Sequence, residues 1–570
     1  MKRWFWLALV ILGATASASG LNFKQVSHIP SGMIWCGGYI KGTDVNHDGY
    51  EDLIFTTAIV PGDSNRVVYY GYRPYNRYVF EDTIGHPPSV FWDIGSLDGD
   101  SLMDVLAQSD DSAPTGIEVF EPNDFWSFPK VRVWEWRYEW LGYSLQAMYI
   151  TDLDRDSFKE ILTADGQVIY VFENRGNNQY QRVFSDTVSN IPTGSFAFGD
   201  FDGDGRMEFV VPTYGVYSSD TTVYVYKCIG NDQYQRVWGD FLNTANMYDC
   251  ITLPDMDGDG KPEFMIGSLR TGSPYPWQAC LWIYKSTGPN QYGLIYADSI
   301  PVTDRGVYCV HSDCGDIDRD GRPELVWAID RDWMVYKYDS LGHRFQRVFS
   351  AYGDNHHNST NVHIHDMNGN GYPEIIESGG NETHIWEVET CQVVFPNGGE
   401  ILHADSQTVI RWRNVDPFRA DSFSLFFSSD SGLTYTPVAY GIAGTDSAYT
   451  WTVPETYSDD CFVMLWAYQN ATGWDFSDSH FRIRNGNGVE QGNDAPSPAS
   501  HLPYRVAPNP FVSFATLPGH EKETFALYDV SGRKVGNYPG SRIGYNLSAG
   551  IYFLKPEVKD AKPIRLVKLR

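Results

Sequence analysis

Asp200-Phe201-Asp202-Gly203-Asp204-Gly205-Arg206-Met207-Glu208 runs directly into Phe209-Val210-Val211. Acids stand at positions 1, 3, 5 and 9 of this stretch, and glycine stands at position 6. Alternate residues of a tight loop turn their carboxylates to one centre, and calcium takes six to eight hard oxygens at about 2.3–2.6 Å. Gly205 supplies the positive φ that a side chain resists at the sharpest bend. The acid at position 9 closes the cage from the first residue of a short buried strand. An EF-hand opens in the same way but needs a bidentate Glu at position 12 and a following helix. Here an apolar strand follows instead.

The pattern recurs along the chain. Copies with glycine at position 6 are Asp44/Asn46/Asp48/Asp52, Asp200/Asp202/Asp204/Glu208, Asp255/Asp257/Asp259/Glu263, Asp316/Asp318/Asp320/Glu324 and Asp366/Asn368/Asn370/Glu374. In Asp152/Asp154/Asp156/Glu160 a serine, Ser157, replaces the glycine. In Ser96/Asp98/Asp100/Asp104 both the first ligand and the glycine are lost, the latter to Ser101. That makes seven copies, starting 48 to 61 residues apart. Repeats of this length with several short strands each are the signature of propeller blades. The alternative is that the loops are solvated turns, since Asp, Asn and Gly form turns without a ligand. Fixed carboxylate spacing favours calcium, because clustered carboxylates repel one another until a cation neutralises them.

A second strand with alternating aromatics follows most loops, as in Val168-Ile169-Tyr170-Val171-Phe172 and Val223-Tyr224-Val225-Tyr226. Similar tails mark a third, as in Asn178-Gln179-Tyr180-Gln181-Arg182-Val183-Phe184 and Asp232-Gln233-Tyr234-Gln235-Arg236-Val237-Trp238. At these residues the chain resembles the FG-GAP/VCBS repeat family, which also forms the integrin α-subunit propeller. The resemblance covers roughly residues 21–390 and implies calcium in the loop between the first two strands of each blade. The departures at 96–104 and 152–160 leave metal in those two loops open. The last repeat is a strand short, and an open sheet edge invites aggregation. The segment Leu21-Asn22-Phe23-Lys24-Gln25-Val26 is expected to supply the missing strand.

Composition agrees with an exported all-β protein. The 570 residues carry 72 acids against 43 bases, a net charge of −29, which repels nucleic-acid phosphates and anionic membrane surfaces. Lys2 and Arg3 precede an apolar stretch from Trp4 to Gly13, and Ala14 to Ala18 offer an Ala-x-Ala cleavage site, so residues 1–18 read as a signal peptide. That stretch is well short of the ~20 residues a spanning helix needs, and the mature chain is expected to have no transmembrane segment. Eight cysteines fit an oxidising compartment, with no zinc-like C-x-x-C pair.

Residues 391–484 change character, with short strands such as Ile410-Arg411-Trp412 and Cys461-Phe462-Val463-Met464-Leu465-Trp466 between turns. They resemble the immunoglobulin-like or fibronectin-like sandwiches of secreted bacterial proteins. Residues 485–503, rich in Asn, Gly, Pro and Ser, read as a linker. Residues 504–570 resemble the C-terminal sorting domain of the type IX secretion system, through Ala507-Pro508-Asn509-Pro510-Phe511, Leu527-Tyr528-Asp529-Val530-Ser531-Gly532-Arg533, Leu547-Ser548-Ala549-Gly550-Ile551-Tyr552-Phe553 and the basic end Lys568-Leu569-Arg570. A further small sandwich is the alternative. The expected fold is therefore an all-β seven-bladed propeller with calcium loops, a β-sandwich and a small C-terminal β-sandwich sorting domain.

No G-x-S-x-G, H-E-x-x-H, P-loop or dinucleotide fingerprint is present. The best enzymatic hint is His356, His357, His363 and His365, of which the last two alternate on an expected inner strand. Trp134, Trp136, Tyr138 and Trp140 could stack on sugar rings or pack between blades. The expectation is a secreted or cell-surface adhesion protein that binds an extracellular glycan or protein and is handled by the type IX machinery. The rival is a secreted polysaccharide hydrolase or lyase using the channel.

Overall fold

The apolar triplet behind each acidic loop forms the second strand of a sheet, because loop and hairpin turns bring three short partners against it. The computed structural model describes residues 21–29, 39–58, 65–73, 77–84, 89–109, 116–137, 147–188, 195–213, 221–242, 246–270, 278–301, 310–329, 332–352, 360–379, 382–415, 418–430, 434–469 and 471–485. Further on it describes 524–529, 534–539, 542–544, 547, 550–555 and 564–568. The signal peptide, most of the linker, Ala507 to Phe511, Tyr138, Trp140, His356, His357, Cys36 and Cys309 lie outside these residues.

All described elements are strands. Six successive four-stranded antiparallel sheets begin at Lys41–Thr43, Ser89–Gly95, Met148–Thr151, Ala197–Gly199, Asn246–Leu253 and Asp313–Gly315. A seventh contains Thr360–His365, Glu374–Gly379 and Glu382–Val388, and its outer strand is Phe23–Ile29 from the amino-terminal end. Phe23 pairs with Val388 and Ile29 with Thr383, so the segment expected to close the repeats does pair with the last of them. Phe23 wedges against Trp333 and Phe349 of the sixth sheet, at 5.3 and 4.7 Å between ring centroids.

Hydrogen bonds at or near the first strands tie neighbouring sheets together. Ile150 N donates to Asp93 of the second sheet at 3.0 Å, Phe198 N to Thr252 at 3.0 Å, Ser312 N to Asp249 at 2.9 Å and Ile364 N to Asp313 at 2.9 Å. His365 Nε2 lies 2.9 Å from Glu51 Oε2, which joins the seventh sheet back to the first. Further out, the hydroxyls of Tyr226, Tyr284 and Tyr336 donate to Asp186, Asp240 and Asp298 of the preceding sheets at 2.8 to 2.9 Å. Trp134 and Trp136 pack on Phe172 of the third sheet, at 5.9 and 4.9 Å, so these two take the packing role rather than an exposed one.

Beyond residue 390, a three-stranded sheet and a six-stranded sheet face each other across a core of Val393, Ile410, Trp412, Phe423, Leu425, Val463 and Leu465. This pair of sheets touches the seventh sheet. Lys24 forms a cation–π contact with Trp474, and Thr472 N donates to Asn370 O at 2.9 Å. Residues 487–570 form a separate unit, whose described strands make one four-stranded sheet over Phe525, Leu527, Tyr538, Ile543 and Leu554. No helix among the described residues is long and apolar enough to cross a membrane. Cys228, Cys250, Cys314, Cys391 and Cys461 are free thiols.

Phe23→Ala removes the wedge from the closing strand and should cost about 2–3 kcal/mol, read by chemical denaturation; a change under about 0.5 kcal/mol would show that the closure carries no load. The buried His311 ring is held neutral, its pKa pushed down by burial to about 4. Its stabilisation is therefore complete above the unfolded value near 6.5 and is lost as pH falls towards 4. His311→Phe should flatten the loss of stability between pH 6.5 and 4.5, and an unchanged slope would contradict this.

Candidate metal centre

All seven loops share one backbone design. The residue at position 6 has positive φ in every copy: Gly49 (87°), Ser101 (77°), Ser157 (77°), Gly205 (90°), Gly260 (89°), Gly321 (88°) and Gly371 (92°). The two serines thus keep the bend that glycine makes easy, at a conformational cost. Position 4 is also left-handed throughout, with His47, Arg155 and Arg319 at 55–61° alongside four glycines. The full copies are locked by the position 1 carboxylate, which accepts from the position 6 amide, as in Gly205 N to Asp200 Oδ2 at 2.9 Å and Gly260 N to Asp255 Oδ2 at 2.7 Å.

The acid at position 9 is completely buried in every loop. One of its oxygens accepts from the position 2 amide: Val45 to Asp52, Leu97 to Asp104, Leu153 to Glu160, Phe201 to Glu208, Met256 to Glu263, Ile317 to Glu324 and Met367 to Glu374, all at 2.7 to 3.0 Å. The other oxygen points into the loop. For Asp52, Asp104, Glu160 and Glu263 it accepts no hydrogen bond. Burial pushes the Asp52 carboxyl up to about 7 and those of Asp104 and Glu263 to about 8. A buried carboxylate of this kind calls for a countercharge.

The countercharge differs from loop to loop and comes from one register position, beside position 9 on the neighbouring strand. Glu208 pairs there with Lys227 and Glu160 with Glu173, while Asp52 pairs with Gly71. The same offset gives Glu121, Lys285, Lys337 and Glu387 in the remaining sheets. Lys227 Nζ lies 2.8 Å from Asp202, 2.7 Å from Asp204 and 2.9 Å from Glu208. Lys337 lies 2.5, 2.8 and 3.2 Å from Asp318, Asp320 and Glu324. Lys285 contacts Asp257 and, at 2.8 Å, Asp259. In these three loops an ammonium sits where the sequence alone places calcium.

In three others the same position adds a carboxylate. Around residues 152–160, burial raises both Glu160 and Glu173, Glu160 further through the charges of Glu173 and Asp154 and Glu173 through those of Asp156, Asp154 and Asp232, and neither Glu173 oxygen accepts a hydrogen bond. Arg175 stands 3.6 Å from Glu173, and Lys159 3.6 Å from Asp152. Asp232, from the hairpin turn of the next sheet, donates its amide to Asp154 Oδ2 at 2.9 Å and brings its own carboxylate alongside. Oxygens of Asp152, Asp154 and Glu160, and of Asp154, Glu173 and Asp232, lie within 4.8 Å of one another, as do those of Asp98, Asp100 and Glu121. In the 366–374 loop burial raises both Glu374 and Glu387, Glu374 further through the charge of Glu387, and the Asn368 and Asn370 amides donate to Glu387 at 3.1 and 3.0 Å.

Asn46, Asp48 and Asp156, expected from the pattern as metal ligands, make the same turn contacts as their counterparts in the other loops. Asn46 Oδ1 accepts from the Asp48 amide at 3.1 Å, so it braces the loop backbone. Asp48 Oδ1 accepts from Tyr50 N at 2.9 Å, and its Oδ2 lies 3.5 Å from Arg73, whose guanidinium also holds Glu81 at 2.6 Å. The residue two beyond Gly71 thus brings a cation to Asp48 of the first loop. Asp156 Oδ1 accepts from Phe158 N at 2.9 Å. Glu173 and Asp232, which the loop pattern does not contain, bring further carboxylates to Asp154, and the charge of Asp156 helps to raise Glu173. In each loop a side chain at position 3 or 5 thus satisfies one of the turn's own amides.

The oxygen-rich, under-neutralised loops fit a hard divalent cation, and around residues 152–160 Glu173 and Asp232 add to the donors. Lys227 and Lys337 reach the position 9 acid of their loops, which then fit a cation poorly. Oxygens of Asp255, Asp257, Asp259 and Glu263 lie within 4.8 Å of one another, and Lys285 contacts only Asp257 and Asp259, so that loop keeps a cation-type donor set beside its ammonium.

The second histidine pair lies on the first strand of the seventh sheet. His363 Nδ1 is 2.8 Å from Asp313 Oδ2, and burial lowers the pKa of the ring. His365 is engaged by Glu51, and the two rings stack at 5.8 Å. Both therefore serve contacts between sheets. A groove of about 590 Å³ lies in the sandwich, lined by Thr434, Thr436, Tyr449, Thr450 and Trp451.

Comparison with known proteins bears on the loops. A profile described as FG-GAP-like repeat matches residues 152–211, 255–327 and 316–376. The chain carries FG-GAP-like repeats. The matched FG-GAP-like segments begin at loop residues Asp152, Asp255 and Asp316. No curated protein matches the chain. Among solved structures, the S. cerevisiae core factor is 8% identical with a TM-score of 0.39, over 64% of this chain and 60% of that one, so this chain spans less than two thirds of it. Fructofuranosidase from Schwanniomyces occidentalis, complexed with fructose, is 8% identical with a TM-score of 0.24, over 80% and 92% of the two chains. Scores of this size carry no functional information.

Lys227→Met leaves the buried Asp202 and Glu208 without their countercharge and should cost about 3–5 kcal/mol in chelator. Urea denaturation measures it. A loss below about 1 kcal/mol would mean that the ammonium is incidental to the loop.

Proposed function

We propose that the chain is an exported, calcium-stabilised, seven-bladed β-propeller protein that binds an extracellular glycan or protein in adhesion. An immunoglobulin- or fibronectin-like sandwich and a type IX sorting domain complete this reading. The observation that carries it is the excess of buried, incompletely paired carboxylates in the FG-GAP-like loops that lack lysine. Calcium is assigned to the loops beginning at Asp44, Ser96, Asp152 and Asp366, and the internal lysines serve those at Asp200, Asp255 and Asp316. The serine-bearing loops thus become the better metal sites and three glycine-bearing ones the poorer.

Its role there is structural. A cation that binds only the folded state adds RT ln(1 + [L]/Kd) per site, about 1.4 kcal/mol at a tenfold excess. The inter-sheet position of Asp232 makes the 152–160 site a clasp between the third and fourth sheets. Binding rather than turnover is supported by the engagement of His363 and His365 in contacts between sheets. Export is supported by the leader-like residues 1–18 and by the motifs of residues 504–570, and it places the protein in the medium or on the outer cell surface.

Calorimetry of the chelated protein should find no more than four strong calcium sites, and Glu173→Gln should weaken one of them at least tenfold. Seven equivalent sites, or none, would contradict the assignment. A glycan array with a parallel reducing-sugar assay should show retention without product release; sustained release abolished by His363→Ala would favour the hydrolase. A chain ending at Pro503 should fold but remain in the periplasm of a host with the type IX pathway, and normal export of it would exclude the sorting role.

A further inference from the structure

A second metal-type constellation lies on the closing strand pair, well away from the acidic loops. His28 on Phe23–Ile29 is directly opposite His384 on Glu382–Val388. Glu382 stands two residues before His384 and so shares its face of the strand. Glu382 is about 16 Å and His384 about 10 Å along the strand from Glu387, towards the other end of the seventh sheet from the 366–374 loop.

Three features distinguish this cluster from an ordinary ion pair. His28 Nε2 and His384 Nε2 are each 3.4 Å from the same atom, Glu382 Oε2, and the three ligand atoms all lie within 4.8 Å of one another. A nitrogen–oxygen hydrogen bond prefers about 2.9–3.0 Å, so both separations are long for one. A tetrahedral ion with bonds of about 2.0–2.2 Å spaces its ligands about 3.3–3.5 Å apart, which matches both. The side chains keep 28, 22 and 26% of their surface in the order His28, His384, Glu382, which gives an ion a path in and leaves room for water at a fourth position. Two imidazoles and one carboxylate are also the donor set of borderline transition metals, not of calcium.

We propose that His28, Glu382 and His384 bind a divalent transition metal of the zinc class, as a staple between the amino-terminal strand and the last strand of the repeats. The staple sits where the chain closes non-covalently and complements the Phe23 wedge at the other end of the same strand. Two neutral imidazoles and one carboxylate leave the bound ion a net charge of +1, tolerable at a half-exposed site. The inference stands apart from the calcium reading, since no loop residue takes part.

The test uses the full chain in saturating calcium, titrated with zinc chloride and followed by calorimetry and thermal melting. The wild type should take up one zinc and melt several degrees higher, and Glu173→Gln should do the same. His28→Ala and Glu382→Gln, each melting near the wild type in chelator, should lose both effects. Cobalt(II) in place of zinc should give the intense visible bands of a tetrahedral site in the wild type and not in His384→Asn, a readout independent of stability. Absence of zinc uptake by the wild type, or equal uptake and equal cobalt bands in the variants, would overturn the proposal.

Discussion

A completely buried carboxylate at the start of the second strand recurs in all seven sheets, and most of the surrounding architecture serves its needs. One oxygen is fixed by a backbone amide, which sets the loop's path and forces two left-handed residues into it. The other oxygen faces inward and requires positive charge. Removing a carboxylate from water costs several kcal/mol unless a cation or donor compensates. The chain solves the problem in two ways, with a lysine from the adjacent strand or with a cavity of further carboxylates suited to a divalent ion.

The two solutions have different consequences for stability. A lysine loop carries its cation covalently, and its strength is indifferent to the medium. On the proposed calcium reading, a carboxylate loop would gain its strength only where the ion is abundant. The sheets served by Lys227, Lys285 and Lys337 are consecutive, the fourth to the sixth. The remaining sheets flank the closure, where the first and last segments of the repeat region must find each other. On this account metal strengthens the part of the ring that has no covalent continuity.

Much of this was legible in the sequence, because the loop pattern and the strand behind it are local. The spacing of Asp200, Asp202, Asp204 and Glu208 and the apolar residues after them place the loop and the second strand where the structure has them. The closing role of the segment after Leu21 was readable because the last repeat ended a strand short. The countercharge was not read from the pattern, although a signal exists. Tyr226-Lys227, Tyr284-Lys285 and Tyr336-Lys337 repeat one dipeptide, while Phe120-Glu121, Phe172-Glu173 and Trp386-Glu387 replace its second member with an acid. Its meaning depends on register across two strands, which only the fold supplies. For the same reason Glu173 and Asp232, which come from outside the loop, do not appear in the loop pattern. The serines at 101 and 157 weigh against their loops in the sequence, yet both adopt the required φ. The His28–Glu382–His384 cluster joins residues more than 350 positions apart, beyond any local motif.

Crystals of the full chain soaked in terbium, a calcium mimic with a strong anomalous signal, would test the division of the loops most directly. The account places anomalous peaks in the loops beginning at 44, 96, 152 and 366, with the 152 site touching Glu173 and Asp232, and none beside Lys227, Lys285 or Lys337. Peaks in the three lysine loops, with those side chains swung out, or no peak at the 152 loop, would contradict it.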